Sequence, residues 1–235
     1  MANTKRTNKK NTEGKETVEF FKDLDREALH TERFLEKNSK LISLVFGVLV
    51  LGVLGYFAYQ QFVIVPKNEE ATKSYLSAMG NLAEGKTTEA LGGKSAANPG
   101  FLGTYENYGN TDAGSLAGYH AGLLKFKEGK FQEAYNLLDQ FSSDNKVLMA
   151  LKYGAMADAA SNLNKADESL SLLTKAANAS DDPYTTYYFT RKKGILALAL
   201  NKTQEAKTAF ETIDQKYKEY DNGLSDSYIE MVKNK

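Results

Sequence analysis

The sequence predicts an all-α protein: a single N-terminal transmembrane helix, then a solenoid of helix pairs, then a C-terminal capping helix. Three observations lead to this fold class. An uncharged apolar run fills residues 41–59, a short motif recurs at offsets of 35 and 37 residues, and an amphipathic segment ends the chain at 222–235. Apolar residues at helical spacing and a repeat period near 35 residues both indicate helix pairs stacked side by side.

Composition excludes several classes of function. The 235 residues carry 30 basic and 30 acidic side chains, so the formal net charge is zero and no bulk attraction to nucleic acid is expected. The chain has no cysteine, which excludes a disulfide framework, a thiol nucleophile and a thiolate metal site. About 170 residues follow Pro66, which is enough for one domain with a substantial core.

The N-terminal tail, residues 1–40, divides into two parts. Residues 1–15 are polar and predicted to be disordered, because they hold almost no apolar side chain. Residues 16–39 are predicted to form an amphipathic helix that lies on the membrane surface, docks on a partner or extends, solvated, from the next helix. The apolar residues at three- and four-residue steps are Phe20, Phe21, Leu24, Ala28, Thr31 and Leu35.

The apolar run Leu41–Tyr59 predicts a transmembrane helix within a span of residues 41–65. Its nineteen residues hold no charge and no proline, and twelve of them are Leu, Ile, Val or Phe. At helical rise they cover roughly 28 Å, close to the hydrocarbon thickness of a bilayer. The alternative is a buried helix of a soluble core, which would normally show a polar face.

Small residues lie on one face of this helix, at Ser43, Gly47 and Gly55. Spacing by four and eight positions would let a second membrane helix approach closely, so these three residues are candidates for helix packing. Glycine is common in membrane helices in any case, and lipid alone is the alternative neighbour.

The distribution of basic residues predicts the orientation. Five lie on the N-terminal side within about 20 residues of the run, whereas Lys67 and Lys73 are the only two in the matching window beyond it. The five are Lys22, Arg26, Arg33, Lys37 and Lys40. The positive-inside rule then makes the N-terminus cytoplasmic and residues 66–235 exported, with the run as an uncleaved signal-anchor. In a bacterium this is a single-pass inner-membrane protein with a periplasmic domain.

Helical periodicity resumes after Pro66. Residues 68–84 place apolar side chains on one stripe, and residues 89–91 begin another short helical piece. The stripe consists of Ala71, Tyr75, Leu76, Met79 and Leu82. Residues 92–100 (GGKSAANPG) contain three glycines and an Asn-Pro-Gly sequence, and they are predicted to form a loop before a short helix at 101–108.

A motif at residues 129–134 recurs at 164–169 and 201–206. Each copy begins with Gly or Asn, which tolerate a left-handed backbone, and continues through Lys to Glu and a small residue. A large apolar residue follows the small one by four positions, at Leu138, Leu173 and Phe210. Another small residue lies seven positions before each turn, at Gly122, Ala157 and Gly194.

These features resemble the tetratricopeptide repeat. Gly122 or Gly194 matches the small residue of that family's first helix, and Ala134 and Ala206 match the small residue of its second. The copies depart from the family pattern: tryptophan is missing, Ser169 replaces alanine, and the closing proline is missing or displaced. The resemblance implies stacked helix pairs, with residues 69–91 as a candidate fourth, degenerate copy.

The segment 222–235 is predicted to cap this tetratricopeptide-like stack, since the last pair of a solenoid needs a polar outer face. The side chains expected to face inward are Leu224, Tyr228, Met231 and Val232. Those expected to face outward are Asp226, Glu230, Lys233 and Lys235.

The layout as a whole resembles the ancillary subunit of the SecYEG translocon, the YfgM-like family. A short basic tail, one anchor and an exported repeat domain carry this resemblance, together with the segment 105–119 before the first clear repeat. The resemblance implies a scaffold beside the translocon that binds a membrane-anchored chaperone of the peptidyl-prolyl isomerase (PpiD) type or emerging clients. Its expected partners are proteins and membrane lipid, with neither nucleic acid nor a small-molecule substrate.

No catalytic, cofactor or metal site is predicted. His120 has no His or Cys companion at a spacing useful for a metal, so a surface or groove position is expected for it. His30 lies in the tail beside acidic residues and is expected to be solvated. Two further functions stay open as alternatives: an envelope-stress regulator acting through the tail, and a hydrolase with a cryptic polar pocket.

The first helices of successive tetratricopeptide repeats line a concave face, which gives a candidate groove for a partner's peptide or helix. The alignment places eight residues there: Tyr119, Leu123, Lys127, Asp158, Asn162, Tyr188, Arg191 and Ile195. The alternative is that Leu123, Tyr188 and Ile195 belong to the core. The aromatic cluster of Tyr184, Tyr187, Tyr188 and Phe189 is expected to serve mainly in packing.

Overall fold

A computed structural model describes residues 37–95 and 98–233. Within these ranges helix follows helix without a β-strand, which confirms the all-α prediction. The internal contacts divide the chain into two units, the first ending at Val63 and the second running from Ile64. Most of the predicted tail, including its amphipathic segment up to residue 36 and His30, lies outside the described residues.

The first unit contains helix α1, residues 37–59, followed by a π-helical turn, Gln60–Ile64. The large apolar side chains of α1 are exposed along its length. Pro66 explains the wide turn, because proline has no N–H to donate and its ring crowds the carbonyl of Phe62 four residues earlier. By length and composition, the helical stretch Lys37–Ala83 can cross a membrane.

The second unit consists of further helices joined by short turns. They are α2 (Val65–Ala83), α3 (Thr87–Gly92), α4 (Gly100–Tyr108), α5 (Asp112–Lys127), α6 (Phe131–Gln140), α7 (Lys146–Asn162), α8 (Ala166–Ala179), α9 (Pro183–Ala199), α10 (Thr203–Lys216), α11 (Lys218–Asp221) and α12 (Asp226–Lys233). Pairs α5–α6, α7–α8 and α9–α10 correspond to the three predicted repeats. Each pair packs on the next, so the core runs continuously along the stack.

The turn inside each pair has one geometry. Gly129, Asn164 and Asn201 have φ values of +76°, +61° and +58°, which confirms the left-handed position predicted from the motif. The Lys after each turn residue donates its backbone N–H to a carbonyl five residues back, with N···O distances of 2.8–3.0 Å. These bonds satisfy carbonyls that the helix end would otherwise leave unpaired.

The same turn also occurs earlier in the chain. Gly85 has φ +76°, and the Lys86 N–H donates to the Asn81 carbonyl at 2.9 Å. Ala78 and Ala90, at the two small positions, are fully buried. The helices α2 and α3 therefore repeat the geometry of the later pairs, as expected for a fourth copy.

This first pair departs from the others after the turn. Helix α3 has only six residues, and Lys94 stands where the later copies have Leu138, Leu173 and Phe210. Gly93 and Gly100 take φ values of +68° and +67°, so the chain turns and α4 follows. The predicted loop and short helix are present, with α4 beginning at Gly100.

One residue of the predicted stripe on α2 is wrongly placed. Leu76 is exposed, whereas Ala71 and Ala78 are buried and Tyr75 and Leu82 pack against the core. The buried face follows steps of four and three residues through 71, 75, 78 and 82, and position 76 is rotated about 100° from position 75.

Close approach of the two helices in a pair depends on the small residues. A Cβ atom added to Gly122 would lie 2.9 Å from Leu138 Cγ, and one added to Gly194 would lie 2.9 Å from Phe210 Cζ. Ser169, which stands in the place of alanine, is buried and donates its hydroxyl to the Ala157 carbonyl at 2.8 Å. The buried hydroxyl is therefore satisfied.

The C-terminal cap is partly as predicted. Ile229 and Val232 of α12 are buried, and the Tyr228 ring stacks on Phe210 with centroids 5.3 Å apart. Leu224 and Met231 are exposed, contrary to the prediction that they face inward. Met231 lies about 200° around the helix from Ile229, and Leu224 precedes α12 in a turn. Asp226, Glu230 and Lys233 are exposed as predicted, and Lys235 lies outside the described residues.

Candidate protein-interaction surface

Polar links join each repeat to the next element of the stack. The Lys192 ammonium on α9 lies 2.6 Å from the Asp158 carboxylate on α7. Other links join Lys202 to Asp167, Tyr135 to Glu168, Lys146 to Asp181, and Tyr187 to Asp221. All of these pairs are 33–35 residues apart, one repeat length. The links therefore hold adjacent repeats in register.

Helix α9 begins at a strong cap. The Asp182 carboxylate accepts from the Thr185 N–H at 2.7 Å, and Pro183 occupies the first turn, where its missing N–H is harmless. Hydrogen bonds from the Thr185 hydroxyl and N–H hold the pKa of Asp182 below its usual value. From this start, residues 184, 188, 191 and 195 recur along one face of α9.

That face borders a concave depression of about 350 Å³, here called the aromatic cleft. Six of its lining residues come from α9, and two come from the segment that follows α10. They are Tyr184, Tyr187, Tyr188, Arg191, Lys192, Ile195, Tyr220 and Leu224. The volume is at the lower end of the range for ligand pockets, which suits one or two protein side chains.

Asp221 is buried and does not line the cleft, but it binds the lining residue Tyr187. Its carboxylate accepts from the Tyr187 hydroxyl at 3.0 Å, the Ser225 hydroxyl at 2.6 Å and the Ser225 N–H at 2.8 Å. Burial, and then the bond to Asp221, raise the pKa of the Tyr187 phenol. This network ties the cap to α9 and holds the cleft in shape.

Arg191 lines the cleft and has few polar partners. One Nη2–H donates to the Leu224 carbonyl at 3.1 Å, while Nε lies 4.0 Å from Asp221 Oδ1, too far for a hydrogen bond. The buried Nε has no hydrogen-bond partner among residues 37–95 and 98–233. The guanidinium carbon lies 5.9 Å from the centre of the Tyr228 ring, which is within cation–π range.

A second, smaller hollow of about 230 Å³ adjoins the aromatic cleft. It is lined by Leu151, Tyr184, Thr185, Tyr188 and Phe189. Tyr184 and Tyr188 border both hollows and are 58% and 47% exposed, and we call this pair the tyrosine ridge. Val147 and Leu151 on α7 are also exposed, so the apolar surface extends over two repeats.

The predicted groove residues have several different locations. Tyr188, Arg191 and Ile195 lie together in the aromatic cleft, and Asp158 reaches it through Lys192. Lys127 and Asn162 are exposed but do not line the cleft. Leu123 packs against the core, and Tyr119 is buried with its ring 4.9 Å from that of Phe141. We therefore leave Tyr119 and Leu123 out of the surface.

Sequence reasoning missed part of the cleft. It assigned the aromatic cluster at 184–189 to packing, which is right for Tyr187 and Phe189 and wrong for the exposed Tyr184. The four-residue spacing of Tyr184 and Tyr188 would have shown that they share a face. Tyr220 in α11 and Leu224 in the following turn come from a non-repeating segment, for which the repeat alignment has no equivalent.

His120, which was expected at a surface or groove position, is half-buried between helices. Its ring stacks on Phe101 at 5.2 Å and lies 5.8 Å from Tyr75, at the junction of α2, α4 and α5. Burial lowers the pKa of the His120 imidazole. No group of three or more His, Asp or Glu side chains that could hold a metal ion is found in the part of the chain that the structure describes.

Ser43, Gly47 and Gly55, the predicted packing residues of α1, are open to the surroundings. A Cβ atom added to either glycine would meet nothing within 4 Å. That a second membrane helix packs against these residues stays a prediction.

Comparison with known proteins agrees with this architecture. The family model described as a tetratricopeptide repeat-like domain matches residues 32–231. No curated protein and no solved structure matches the chain. The family match covers the paired helices, their left-handed turns and most of the cap. The chain therefore belongs to the tetratricopeptide repeat-like domain family.

Proposed function

We propose that this chain is a non-enzymatic, membrane-anchored scaffold that binds a partner protein through the aromatic cleft and the tyrosine ridge. The observation that carries the proposal is an exposed pair of tyrosines, Tyr184 and Tyr188, between two apolar hollows on linked helical repeats. Tetratricopeptide repeat-like domains are typically interaction modules. Tyrosine is also among the residues that contribute most to the affinity of protein interfaces.

The anchor contributes to binding by confining the domain. A helix long and apolar enough to cross a membrane is present, and lipid is its expected neighbour. A partner held in the same membrane meets the repeat domain at a high effective concentration, in the millimolar range for short linkers. Weak contacts at the aromatic cleft then suffice for association.

We extend the proposal to the inner membrane of a bacterium, with residues 1–40 in the cytoplasm and residues 66–235 in the periplasm. The excess of basic residues before the span supports this orientation. The domain would associate with the SecYEG translocon and bind a PpiD-type chaperone, emerging secretory clients or both. The likeness of the whole layout to the translocon's ancillary subunit supports these partners.

Affinity purification of the full chain from detergent-solubilised membranes tests the proposal. We expect SecY and the PpiD-type chaperone to co-purify with the wild-type chain. The double variant Y184A/Y188A should lose the chaperone while remaining in the membrane fraction. L76A removes an exposed apolar side chain from α2, outside the cleft, and is the matched control. Consistent absence of both proteins would contradict the translocon assignment.

Orientation has a separate test. Protease added to the outer face of intact inner membranes should digest residues 66–235 and leave a fragment containing the anchor. If residues 66–235 resist the protease until detergent opens the membrane, they lie in the cytoplasm, and periplasmic partners are excluded.

A further inference from the structure

The charged side chains around the aromatic cleft are not equally accessible. Lys192 and Asp158 form a pair in which both side chains are partly exposed, at 32% and 41%, so a ligand meets their charges together. Arg191 differs, because its side chain is 28% exposed while the nearest carboxylate, Asp221, is 4% exposed and lies beneath it. A ligand in the cleft therefore meets a cation whose nearest counter-charge is buried.

The hydrogen bonds of Asp221 leave Arg191 incompletely satisfied. Tyr187 and Ser225 already donate three hydrogen bonds to that carboxylate, and the guanidinium makes one hydrogen bond, to the Leu224 carbonyl. Among the cleft-lining residues there is no Asp or Glu. An incoming carboxylate would gain charge-assisted hydrogen bonds from Arg191, and the charges of Asp221, 4.0 Å from Nε, and of Asp158, paired with Lys192, would offset part of this attraction.

The rest of the aromatic cleft's wall favours an apolar group on the ligand. Tyr184, Tyr188, Ile195 and Leu224 contribute rings and aliphatic side chains, and Leu224 is 59% exposed. A bulky apolar side chain that entered the cleft would cover this surface and remove it from water. The acidic and apolar groups of the ligand must therefore lie close together.

The ridge indicates how the ligand chain continues. Tyr184 and Tyr188 separate the aromatic cleft from the second hollow, which is lined by Leu151, Thr185 and Phe189. A ligand too short to cross the ridge would fill one hollow and leave the other open to water. A chain that crosses the ridge fills both and covers the exposed faces of the two tyrosines.

We infer that the aromatic cleft recognises an internal segment of a partner protein in which an acidic side chain lies next to a bulky apolar one. The acidic group pairs with Arg191, the apolar side chain fills the cleft, and the chain crosses the tyrosine ridge toward Leu151. This inference rests on the proposed function and adds the chemistry of the ligand.

The test uses fluorescein-labelled twelve-residue peptides in a Gly/Ser background, with acetylated and amidated ends. Each carries Phe and Glu at separations of one to four positions, and matched sets carry Lys in place of Glu or Ala in place of Phe. Fluorescence polarisation with the full chain in detergent should show the best Phe/Glu peptide binding about tenfold tighter than its Lys counterpart. The Ala set should bind more weakly than the Phe set.

Variants assign the preference to Arg191. In R191Q the Glu-over-Lys preference should fall to within about twofold, while K193Q, which removes the neighbouring cation of α9 that does not line the cleft, should keep it. Because R191Q also alters the bond to Leu224, its thermal unfolding is compared with that of wild type. A second measurement needs no variant. Raising the salt concentration should weaken the binding of the Glu peptide and leave the binding of a Gln peptide nearly unchanged.

Several outcomes would overturn the inference while leaving the scaffold function intact. One is equal or tighter binding of the Lys peptides. Another is preferential binding of a Glu-free peptide through its free C-terminal carboxylate. A third is a wild-type oligomer in ultracentrifugation that Y184A/Y188A dissolves, which would make a second copy the occupant. Failure of the scaffold function itself is distinguishable, since neither SecY nor the chaperone would then co-purify with the wild-type chain.

Discussion

The Lys192 Nζ atom on α9 lies 2.6 Å from Asp158 Oδ1 on α7, and the two residues are 34 positions apart in the chain. The sequence repeats with nearly the same period, so this ion pair joins one repeat to its neighbour. Because both side chains are partly exposed, solvent screens their attraction. The pair therefore contributes more to the relative placement of α7 and α9 than to stability.

A double-mutant cycle with D158N and K192Q should measure a coupling free energy of about 0.2–1 kcal/mol from urea unfolding. The coupling should shrink as salt is raised, since the pair is open to solvent. A coupling several times larger that is insensitive to salt would mean that the pair is far better shielded than its exposure indicates.

G154A should lower the free energy of unfolding by about 1–3 kcal/mol, because the added Cβ would lie 2.2 Å from Phe189 Cε1. G80A is the matched control, since a Cβ at Gly80 on α2 meets nothing within 4 Å. Alanine in an open helical position should stabilise by about 0.5–1 kcal/mol. Chemical denaturation of both variants checks the opposite signs, and equal effects would contradict the packing of α7 on α9.

Stability should decrease as the pH falls below about 6.5, because the half-buried His120 has a lowered pKa in the folded state. Below the unfolded pKa, the unfolded chain binds a proton that the folded chain does not. The loss continues until the folded pKa is reached and then levels off. Melting curves between pH 7.5 and 5 should show this loss of stability with falling pH in wild type and a smaller loss in H120F. The two proteins have the same carboxylates, so carboxylate titration does not account for the difference. Equal slopes would exclude His120 as the cause.

V232A should destabilise the protein by roughly 1–3 kcal/mol, because Val232 on α12 is 1% exposed and its loss leaves a gap beside the core. M231A, one residue earlier on the same helix, should change the free energy of unfolding by less than about 0.5 kcal/mol, since Met231 is 48% exposed. The free energies of unfolding of V232A and M231A, measured in urea, should show this difference. A large effect of M231A would mean that the sequence-based placement of Met231 in the core was right after all.

The stack could be predicted because its determinants are local and repeated. Asn164 and Asn201 stand at the turn position of the recurring motif, and Gly194 and Phe210 stand at fixed distances on either side of the turn at Asn201. The cap could not be placed in the same way. Its orientation depends on the turn at Asn222 and Gly223 and on the buried carboxylate of Asp221, for which no earlier repeat has a counterpart.

The candidate surface, like the fold, could be predicted only in part. Tyr188, Arg191 and Ile195 follow from helical spacing on α9, and the structure brings them together. The same alignment put Tyr119 in the groove, but there the ring packs on Phe141. Periodicity gives the angle of a side chain around its helix. It does not show which neighbouring residue covers that side chain.

The short α3 has a consequence for how the domain comes apart. In a linear array, stability adds up from contacts between neighbours, so a pair that lacks one large apolar side chain is a weak terminal module. Lys94 stands at that place in the first pair, whereas Leu173 fills it in the middle of the array. Opening should therefore begin at α2 and α3, and their amide protons should exchange with deuterium before those of α7 and α8.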